Sequence, residues 1–424
     1  MRYMIDLRYI LEQPEVVAAN NKKRFVDIDL SSSQSLSHER KSLLEQIQDK
    51  REQGNVIAGK IPQASEGERQ TFIEQGRTLK ESVKELEATL QGVEEQLDVE
   101  LRKYPNLLRE DVPEGADDSG NEVMRSFGEI PTFDFEPKDH LDLGESLGMI
   151  DSERAAKVSG ARFTYLKGDA VLLEFALVQY ALSLLIKEGF IPIVPPHMIF
   201  SKAMGAMGYL EHGGEEEIYH LKNDDLVLIG TSEQAIGPMH MDEILEEKQL
   251  PLRYMGISPC YRREAGSYGK DTRGILRVHQ FDKIEMFSFT TPENSDQEHE
   301  VLLSMQEKLM QGLLLPYRVV KLCAGDTGRP SARTYDIETW MPTQGTYRET
   351  HSTSNTTDYQ TRRLNTRIRR EGKNVFAHAL NGTAFAIGRT LIAIMENNQQ
   401  ADGSIRVPEV LQPWVGKDFI RSTK

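Results

Sequence analysis

The chain is poor in several features on which large protein classes depend. Its 424 residues include two cysteines, Cys260 and Cys323, too few for a disulfide framework or a cysteine-rich zinc site. It has no run of about 18 apolar residues, so we expect no membrane span. Charged residues within the first ten positions interrupt any signal-peptide core. We therefore expect a cytoplasmic protein in a reducing compartment.

Positive charge is also in deficit. Lysine and arginine number 51 against 66 aspartates and glutamates, and the formal net charge is -15. This balance argues mildly against nucleic-acid binding, which usually shows a basic footprint. A local basic stripe can still bind phosphates on an acidic protein, because salt screens charges over roughly 8–10 Å. Net charge alone therefore excludes little.

Three common ligand-binding motifs are missing as well. The sequence contains no Walker A loop, no Rossmann glycine fingerprint and no His-Glu-x-x-His helix. P-loop nucleotide binding, dinucleotide binding and zincin chemistry therefore have no support in the sequence.

The N-terminal part predicts a helical hairpin. After a helix and a short strand in the first thirty residues, the segment 36–101 contains one proline, Pro62, and no tryptophan. In its second half, apolar residues repeat at heptad spacing, at Leu79, Val83, Leu86, Leu90, Val93 and Leu97. Residues 59–62 break the helix, which predicts two helices of about 25–40 residues in an antiparallel hairpin. A coiled coil that joins two chains is the alternative.

Composition divides the chain into a first domain at 1–106, a linker at 107–122 and a second domain at 123–424. The linker prediction rests on prolines and glycines among acidic residues. The predicted elements of the second domain are helices at 170–187 and 295–313 and strands at 226–230, 275–289, 318–323 and 334–340. Short strands follow one another without regular βαβ alternation, so we predict an α+β fold around an antiparallel sheet.

The segment 261–277 carries an unusual density of polar residues. A predicted strand ends at Glu264, a glycine-rich loop follows at 266–274, and a second strand begins near Ile275. Residues two apart share a strand face, which groups Arg277, His279, Phe281, Lys283 and Glu285 in one stripe. We expect this stripe to line a wet cleft, and we expect the packing side to consist of Leu276, Val278, Phe287 and Phe289. Arginines beside a glycine loop favour an anionic ligand, and an ordinary solvated strand face is the alternative.

A second polar feature interrupts an apolar segment at 381–391. We predict that a strand ends at Asn381-Gly382, that a helix begins at Thr383, and that Arg389 lies one and a half turns into it. A buried arginine needs a partner, because an unpaired buried charge is costly. An anionic ligand would be that partner, and a structural salt bridge is the alternative.

Together these two segments resemble motifs 2 and 3 of class II aminoacyl-tRNA synthetases, and residues 189–196 resemble motif 1, the dimer-interface strand. The pattern Arg-x-Glu-Ala-Gly-Ser-x-Gly-Lys-Asp-Thr-Arg-Gly, followed by Arg-x-His-Gln-Phe-x-Lys-x-Glu, resembles the seryl branch, bacterial type. The segments 230–233 and 354–363 and the N-terminal hairpin agree with it. The resemblance covers about residues 1–415. It implies a class II catalytic domain with an antiparallel sheet, preceded by a long α-helical coiled-coil hairpin.

The resemblance also implies roles for individual residues. Catalysis would depend on Arg262 and Arg389. The implied ATP-binding residues are Arg262, Arg263, Glu264, Arg277, Phe281, Glu349, Thr350, His351, Ser352 and Arg389. The implied serine-binding residues are Thr231, Ser232, Glu233, Arg262, Glu285, Asn381 and Thr383. Glu349 and Ser352 would be the Mg²⁺ ligands, and no zinc is expected.

The implied partners are L-serine, ATP and tRNA-Ser, whose long variable arm the hairpin would grip. tRNA-Sec is a further candidate substrate, and a homodimer would form through residues 189–196. Three other readings stay open. An amino-acid:carrier-protein ligase would use the same adenylation site but lack the long hairpin. A duplicate synthetase could confer self-resistance to a serine-mimicking inhibitor. An inactive RNA-binding homologue should have lost residues such as Arg262 or Glu285, which are present.

Overall fold

The structure is a computed structural model that describes residues 5–211, 214–265 and 273–422. Most of the predicted glycine-rich loop, 266–272, lies outside the described residues, as do the first four residues of the predicted N-terminal helix and strand. The chain divides into two compact units, Met1–Pro105 and Asn106–Lys424. None of the described helices is both long enough and apolar enough to span a bilayer.

The first unit contains helices and no strand among its described residues. Its helices are α1 (Leu7–Glu12), α2 (Pro14–Lys23), α3 (Leu30–Lys60) and α4 (Glu66–Leu101). The predicted short strand near residue 28 is wrong, because this segment leads directly into α3. Asp29 caps that helix by accepting a hydrogen bond from the Ser31 amide at 2.9 Å. Pro62 lies in the short 3₁₀ turn Ile61–Gln63, which separates the two long helices.

Helices α3 and α4 form the predicted antiparallel hairpin. Arg40 pairs with Glu94 at 2.8 Å, and Arg51 pairs with Glu87 at 2.6 Å, so the chain directions are opposed. Exposed ion pairs of this kind stabilise little. The heptad seam contributes most of the stability of the hairpin. Its last two members along α4, Val93 and Leu97, are buried. With 31 and 36 residues, the helices are roughly 45–55 Å long.

The second unit combines nine α-helices with seventeen strands among its described residues. The helices are α5 (His140–Ser146), α6 (Ser152–Ser159), α7 (Asp169–Leu185), α8 (Ser201–Ala206), α9 (Glu233–Ile236), α10 (Ser295–Leu313), α11 (Tyr359–Leu364), α12 (Ile387–Asn397) and α13 (Gln412–Val415). The strands are β1 (Glu122–Phe127), β2 (Ile150–Asp151), β3 (Tyr165–Leu166), β4 (Ile191–Ile193), β5 (Met198–Phe200), β6 (Leu226–Leu228), β7 (Ile244–Glu246), β8 (Leu252–Tyr261), β9 (Gln280–Thr290), β10 (Tyr317–Lys321), β11 (Arg333–Met341), β12 (Thr346–Thr357), β13 (Arg367–Arg370), β14 (Lys373–Phe376), β15 (His378–Ala386), β16 (Ile405–Arg406) and β17 (Phe419–Ile420).

Eight of these strands form one sheet in the order β1-β10-β11-β12-β15-β9-β8-β4. Every neighbouring pair is antiparallel except β4 with β8, at the edge of the sheet. The prediction of an α+β fold around an antiparallel sheet is therefore confirmed.

The segment predicted as a linker is a structured part of this unit. The Arg109 amide donates a hydrogen bond to the Ala332 carbonyl at 2.9 Å, and the Gly115 carbonyl accepts one from the Gly325 amide at 2.8 Å. The Asp111 carboxylate pairs with Lys321 at 2.8 Å. The prolines and glycines that suggested a linker therefore shape a segment that packs on the sheet.

The two faces of β9 have different surroundings. Ile284 and Met286 pack in the main core, to which α7, α10 and α12 contribute. Lys283 and Glu285 lie on the opposite face. Phe287 and Phe289 were expected to pack behind this stripe, which is wrong. By strand parity they share the face of Glu285, and they belong to a second hydrophobic cluster at the far end of the strand.

Candidate active site

A cavity of about 750 Å³ lies against the face of the sheet that carries Lys283 and Glu285. Its wall includes residues from five stretches: Thr231 and Glu233 after β6, Arg262 after β8, Glu349 and Ser352 on β12, Asn381 and Thr383 on β15, and Arg389 on α12. A smaller cavity of about 70 Å³ shares Arg262, Glu349 and Arg389 with it and adds Phe281, Thr350 and Gly388. Most of the predicted site residues therefore surround one continuous cleft.

At one end of the cleft, a buried ion pair joins two residues of β9 that lie two positions apart and share the same strand face. Lys283 Nζ lies 2.5 Å from Glu285 Oε2, and both side chains are almost fully buried. The Thr383 hydroxyl donates to the same Glu285 oxygen at 3.3 Å. The contact follows from strand register, because Thr383 is the direct partner of Glu285. Ala384 is the extra residue of a β-bulge, so Phe385 points into the core instead.

Glu233 adds a second carboxyl to this end of the cleft. It is 4% exposed, and it accepts a hydrogen bond from the Tyr209 hydroxyl. Burial and the nearby Glu285 charge raise the pKa of Glu233 to about 7, although Lys283 opposes this shift. Ser232, predicted as a serine ligand, is fully buried behind the cavity, where its hydroxyl lies 2.7 Å from that of Ser258.

Arg262 occupies the middle of the cleft. Its Nε donates to the Gly230 carbonyl at 3.3 Å, and its guanidinium lies 5.3 Å from the centre of the Phe281 ring. The His279 ring contacts the Arg262 carbonyl at 3.0 Å, in agreement with a structural role for this histidine. Arg263 has an exposed side chain that lines neither cavity. The structure therefore does not bring Arg263 into the predicted ATP site.

The strand boundaries beside Arg262 differ from the prediction. Strand β8 ends at Tyr261 and β9 begins at Gln280, so Glu264, Arg277 and His279 lie in irregular backbone. Arg277 still reaches the cleft, where its Nη1 donates to Glu264 at 2.8 Å. Glu264 has φ of 50°, a left-handed conformation that costs energy in a non-glycine residue. Glu264 and Arg277 both line the small cavity.

Glu349 and Ser352 share the cleft face because of a second β-bulge. Ile337 pairs with His351 and Glu338 with Glu349, so Thr350 is an extra residue. A regular strand would place residues three apart on opposite faces. Desolvation by the cavity walls alone would raise the pKa of the Glu349 carboxyl, but Arg389 and two further cations outweigh it and lower that pKa.

Two of the predicted ATP ligands on β12 have structural contacts. The Thr350 hydroxyl lies 2.7 Å from that of Thr339, although the residue also lines the small cavity. His351 is fully buried, its Nδ1 lies 2.8 Å from the Thr350 hydroxyl, and burial lowers its pKa to about 4. His351 lines neither cavity. It therefore packs behind the cleft as a neutral imidazole.

Arg389 lies in the first turn of α12, because the helix begins at Ile387 and not at Thr383 as predicted. It is partly exposed to the cleft rather than buried in an apolar helix. A cation near a helix N-terminus is unfavourable, so this position calls for negative partners. Arg389 Nη1 lies 3.2 Å from the Glu349 carboxylate and 2.8 Å from the Glu349 carbonyl oxygen.

Two residues were missed in the sequence: Tyr209, which belongs to the cleft, and Asp336, an acid behind it that lines neither cavity. Tyr209 lies in the loop after α8, where no pattern pointed to it, and it lines the large cavity. Asp336 lies opposite Ser352 on β11. Desolvation and the Glu349 charge raise the pKa of Asp336 well above its ordinary value. In the described part of the chain, no group of three or more His, Cys, Asp or Glu residues could hold a metal ion.

Comparison with known proteins places this architecture in a family. A family model of the seryl-tRNA synthetase N-terminal domain matches residues 4–108, and a model of the tRNA synthetase class II core domain (G, H, P, S and T) matches residues 218–398. The chain is 45% identical to a serine--tRNA ligase of Rubrobacter xylanophilus, over 98% of this chain and 99% of the relative. It is 44% identical to a serine--tRNA ligase of Dictyoglomus turgidum, over 99% and 100%.

A solved structure shows the same likeness in three dimensions. The crystal structure of seryl-tRNA synthetase from Pyrococcus horikoshii complexed with ATP has a TM-score of 0.91 and 38% identity, covering 99% of this chain and 100% of that chain. The chain belongs to the seryl-tRNA synthetase family of the class II aminoacyl-tRNA synthetases.

Proposed function

We propose that the chain is a serine--tRNA ligase, which activates L-serine with ATP and then transfers it to the 3′ end of tRNA-Ser. The observation that carries the proposal is the shared cleft. Two arginines, Arg262 and Arg389, lie in the same cavity as the polar pocket formed by Glu285 and Thr383. This arrangement suits the joining of a small hydroxylated amino acid to a polyphosphate.

The first step needs no protein nucleophile. The serine carboxylate attacks the α-phosphorus of ATP, and pyrophosphate leaves. The enzyme must align two anions and stabilise the charge that develops between them. Arg262, between the serine pocket and the small cavity, would bind the α-phosphate, and Arg277 and Arg389 would bind the outer phosphates.

The small cavity suits the adenine ring. Phe281 offers a face for stacking, and Glu264 an acceptor for the adenine amino group. Gly388 lets the start of α12 pack closely on Ile275 at the edge of this cavity, because a Cβ there would lie 3.2 Å from the Ile275 carbonyl oxygen. ATP would thus lie with its base beside Phe281 and its α-phosphate at Arg262.

Glu349 and Ser352 fit a Mg²⁺ ion that accompanies ATP. Both present hard oxygen ligands to the same cavity, and the lowered pKa keeps the Glu349 carboxylate ionised. A bound Mg²⁺ ion would neutralise phosphate charge and orient the leaving pyrophosphate. Before ATP arrives, Arg389 holds Glu349 in place.

Selection of serine needs hydrogen bonds rather than apolar packing. One methylene distinguishes amino acids by only about 1–3 kcal/mol, whereas a pocket that hydrogen-bonds a hydroxyl rejects an analogue without it much more strongly. Glu285 and Thr383 would contact the serine hydroxyl, with Asn381 beside them. Thr231 and Glu233 would receive the ammonium group.

The N-terminal domain, residues 1–106, would bind tRNA, and residues 123–424 would carry the catalytic site. The hairpin offers a long rigid arm, and structured RNA is recognised mainly through shape and phosphate contacts. The same arm could accept tRNA-Sec. A homodimer through residues 189–196 and residence in the cytoplasm belong to the same proposal. Cys260 and Cys323 are both buried and free.

The interpretation as an amino-acid:carrier-protein ligase lacks support. A carrier-protein ligase would lack the hairpin, whereas α3 and α4 are present.

Charging of purified tRNAs with radioactive serine tests the proposal. We expect tRNA-Ser to accept serine, and tRNA-Sec to accept it more weakly or equally. tRNA-Ala, which lacks a long variable arm, serves as the control and should accept none. Failure to charge tRNA-Ser while another tRNA is charged would refute the proposed function.

A further inference from the structure

Tyr209 closes the part of the cleft that contains the two buried carboxyls. It follows α8 in the chain, lines the large cavity and donates its hydroxyl hydrogen to Glu233. Burial and the adjacent Glu233 raise the pKa of Tyr209 well above its ordinary value. The hydroxyl therefore stays a donor at every pH at which the enzyme would work.

The other charges facing Glu233 leave it in need of this donor. On β9, Glu285 repels the Glu233 charge, while Lys283 attracts it. Lys283 makes its close contact with Glu285, at 2.5 Å, so its charge stabilises mainly the Glu285 carboxylate. Arg262, after β8, also favours the ionised form, but the predicted anionic ligand would compete for it. Burial, followed by the Glu285 charge, raises the pKa of Glu233 to about 7, even though Lys283, the Tyr209 hydrogen bond and Arg262 all oppose the shift.

An ammonium group binds a carboxylate well and a neutral carboxylic acid poorly. At neutral pH a substantial fraction of Glu233 is protonated before any ligand arrives, and its side chain could rotate about several bonds. A hydrogen bond donated to a carboxylate favours the ionised form and fixes the position of its oxygens. Tyr209 supplies such a bond from a ring held between two hydrophobic clusters.

We propose that Tyr209 is a positioning residue, which favours the ionised form of the Glu233 carboxylate and aims it at the α-ammonium group of the bound amino acid. The proposal rests on the assignment of this pocket to an amino acid and adds a residue to it. Tyr209 would act through Glu233 and would touch neither ATP nor the reacting carboxylate. Its loss should therefore raise the KM for serine and leave kcat almost unchanged.

The predicted effect depends on pH in a definite direction. In Tyr209→Phe the donor is lost, so the pKa of Glu233 should rise further and less carboxylate should be present at pH 7. Above pH 8 most of Glu233 ionises even without the donor, so the defect should become smaller. The serine ammonium titrates identically in both proteins, so the ratio of the two dissociation constants removes its contribution.

The experiment measures serine binding by calorimetry, and the KM and kcat of serine-dependent pyrophosphate exchange, at pH 6.5, 7.5 and 8.5. For Tyr209→Phe we expect a dissociation constant raised about tenfold or more at the two lower pH values, since a hydrogen bond to a charged group is lost. The ratio should fall to about threefold at pH 8.5. Tyr254→Phe is the matched control, because its hydroxyl lies 2.8 Å from His240 in one of the same clusters, outside the cavity.

A second comparison tests whether Tyr209→Phe acts through Glu233 or only disturbs the packing of the pocket. In a Glu233→Gln background, which removes the ionisable group, adding Tyr209→Phe should cost less than about twofold in affinity. A ratio that is the same at every pH, a full effect in the Glu233→Gln background or an unchanged affinity at pH 7.5 would each overturn the proposal. Failure of the proposed function would look different, because the unsubstituted enzyme itself would then show no serine-dependent exchange.

Discussion

Arg389 and Glu349 form a polar contact between α12 and the central sheet, with a guanidinium nitrogen 3.2 Å from the carboxylate and 2.8 Å from the carbonyl oxygen of the same residue. The sequence predicted no strand at Glu349, and the predicted helix start at Thr383 did not place Arg389 beside it. The β-bulge at Thr350 places the Glu349 side chain on the cleft face of β12. Because α12 begins at Ile387, Arg389 lies in its first turn, within reach of Glu349. The pair thus presents a cation for phosphate and an oxygen ligand for a metal at one point.

The first prediction concerns the two arginines of the cleft. Arg262→Ala and Arg389→Ala should each abolish most serine-dependent pyrophosphate exchange. Removing one contact that stabilises transition-state charge costs about 2.7–4 kcal/mol in comparable sites, or roughly 10²–10³ in kcat. The initial rate of exchange at saturating serine and ATP measures the effect.

Arg406→Ala is the matched control for these variants, because Arg406 pairs with Glu409 on the surface of the same unit. It should keep near-normal exchange. Circular dichroism should show all three variants folded. Near-normal exchange in Arg262→Ala or Arg389→Ala would mean that the ATP site is misplaced.

The second prediction tests the separate roles of the two units in adenylation and in tRNA binding. Deleting residues 44–90 and joining α3 to α4 with a short glycine-serine linker would keep the Arg40–Glu94 pair at the base of the hairpin. Serine-dependent exchange should change by less than about twofold, because no adenylation residue is removed. Charging of tRNA-Ser should fall sharply through a higher KM for tRNA.

Salt gives an independent check on the same arm. Phosphate contacts release counterions, so the affinity of the full chain for tRNA-Ser should fall as salt rises, and the shortened chain should show a smaller slope. If the shortened, folded enzyme charges tRNA-Ser as well as the full chain, the arm does not bind the tRNA. A coiled coil that joins two chains would then explain it better.

The third prediction concerns assembly through the edge of the large sheet. In the single chain β4 is the edge strand, and Ile191 within it and Val194 directly after it are 48% and 74% exposed. Light scattering at micromolar concentration should give about 96 kDa, twice the chain mass of 48.1 kDa. Val194→Asp should shift the mass towards one chain.

The comparison for that variant is Val158→Asp, since Val158 is 72% exposed on α6 and outside the predicted interface. It should leave the mass unchanged. A mass of one chain for the unsubstituted protein would contradict the dimer, and an equal effect of the two substitutions would contradict the assignment of residues 189–196 as the interface.

The fourth prediction uses a buried histidine. Burial lowers the pKa of His299 to about 3, although its ring contact with the Thr353 carbonyl opposes the shift. The unfolded chain should therefore bind a proton at this residue below about pH 6.5, while the folded chain does not. Stability is thus fully present above pH 6.5 and falls as pH decreases from there towards 3. At pH 5 this amounts to about 2 kcal/mol.

Urea unfolding of His299→Gln at pH 7 and pH 5 measures this contribution. Tryptophan fluorescence reports on the second unit alone, because the two tryptophans are Trp340 and Trp414. The loss of stability between the two pH values should be smaller in His299→Gln by about 2 kcal/mol. His38→Gln, an exposed position on α3, should match the unsubstituted protein. Equal losses in all three proteins would contradict the prediction.

The hairpin could be predicted because its signals are local. Heptad spacing and Pro62 specify two long helices and the turn between them. The strand boundaries around the site could not, since they depend on distant partners. Residues 383–386 continue β15 because they pair with β9, although their small side chains suited a helix start.

The arrangement of the cleft depended on features without a sequence signal. The extra residues Thr350 and Ala384 reverse which side chains face the cavity, and no composition marks such bulges. Tyr209 lies in a segment without periodicity, so its contact with Glu233 became visible only in three dimensions. Arg263 was assigned to the ATP site because it follows Arg262 in the motif. Side chains at adjacent positions can point in different directions, however, and that of Arg263 is exposed.

The most direct test of the account is ATP–pyrophosphate exchange measured separately with each of the standard amino acids. We expect serine to support exchange and alanine to be poorer by about 100-fold or more in kcat/KM, because alanine lacks the hydroxyl that Glu285 and Thr383 would contact. Threonine keeps that hydroxyl, and we expect it to be poorer by about 10-fold or more because its extra methyl group must fit the same pocket. Faster exchange with any amino acid other than serine, or no exchange with serine in a folded protein, would contradict it.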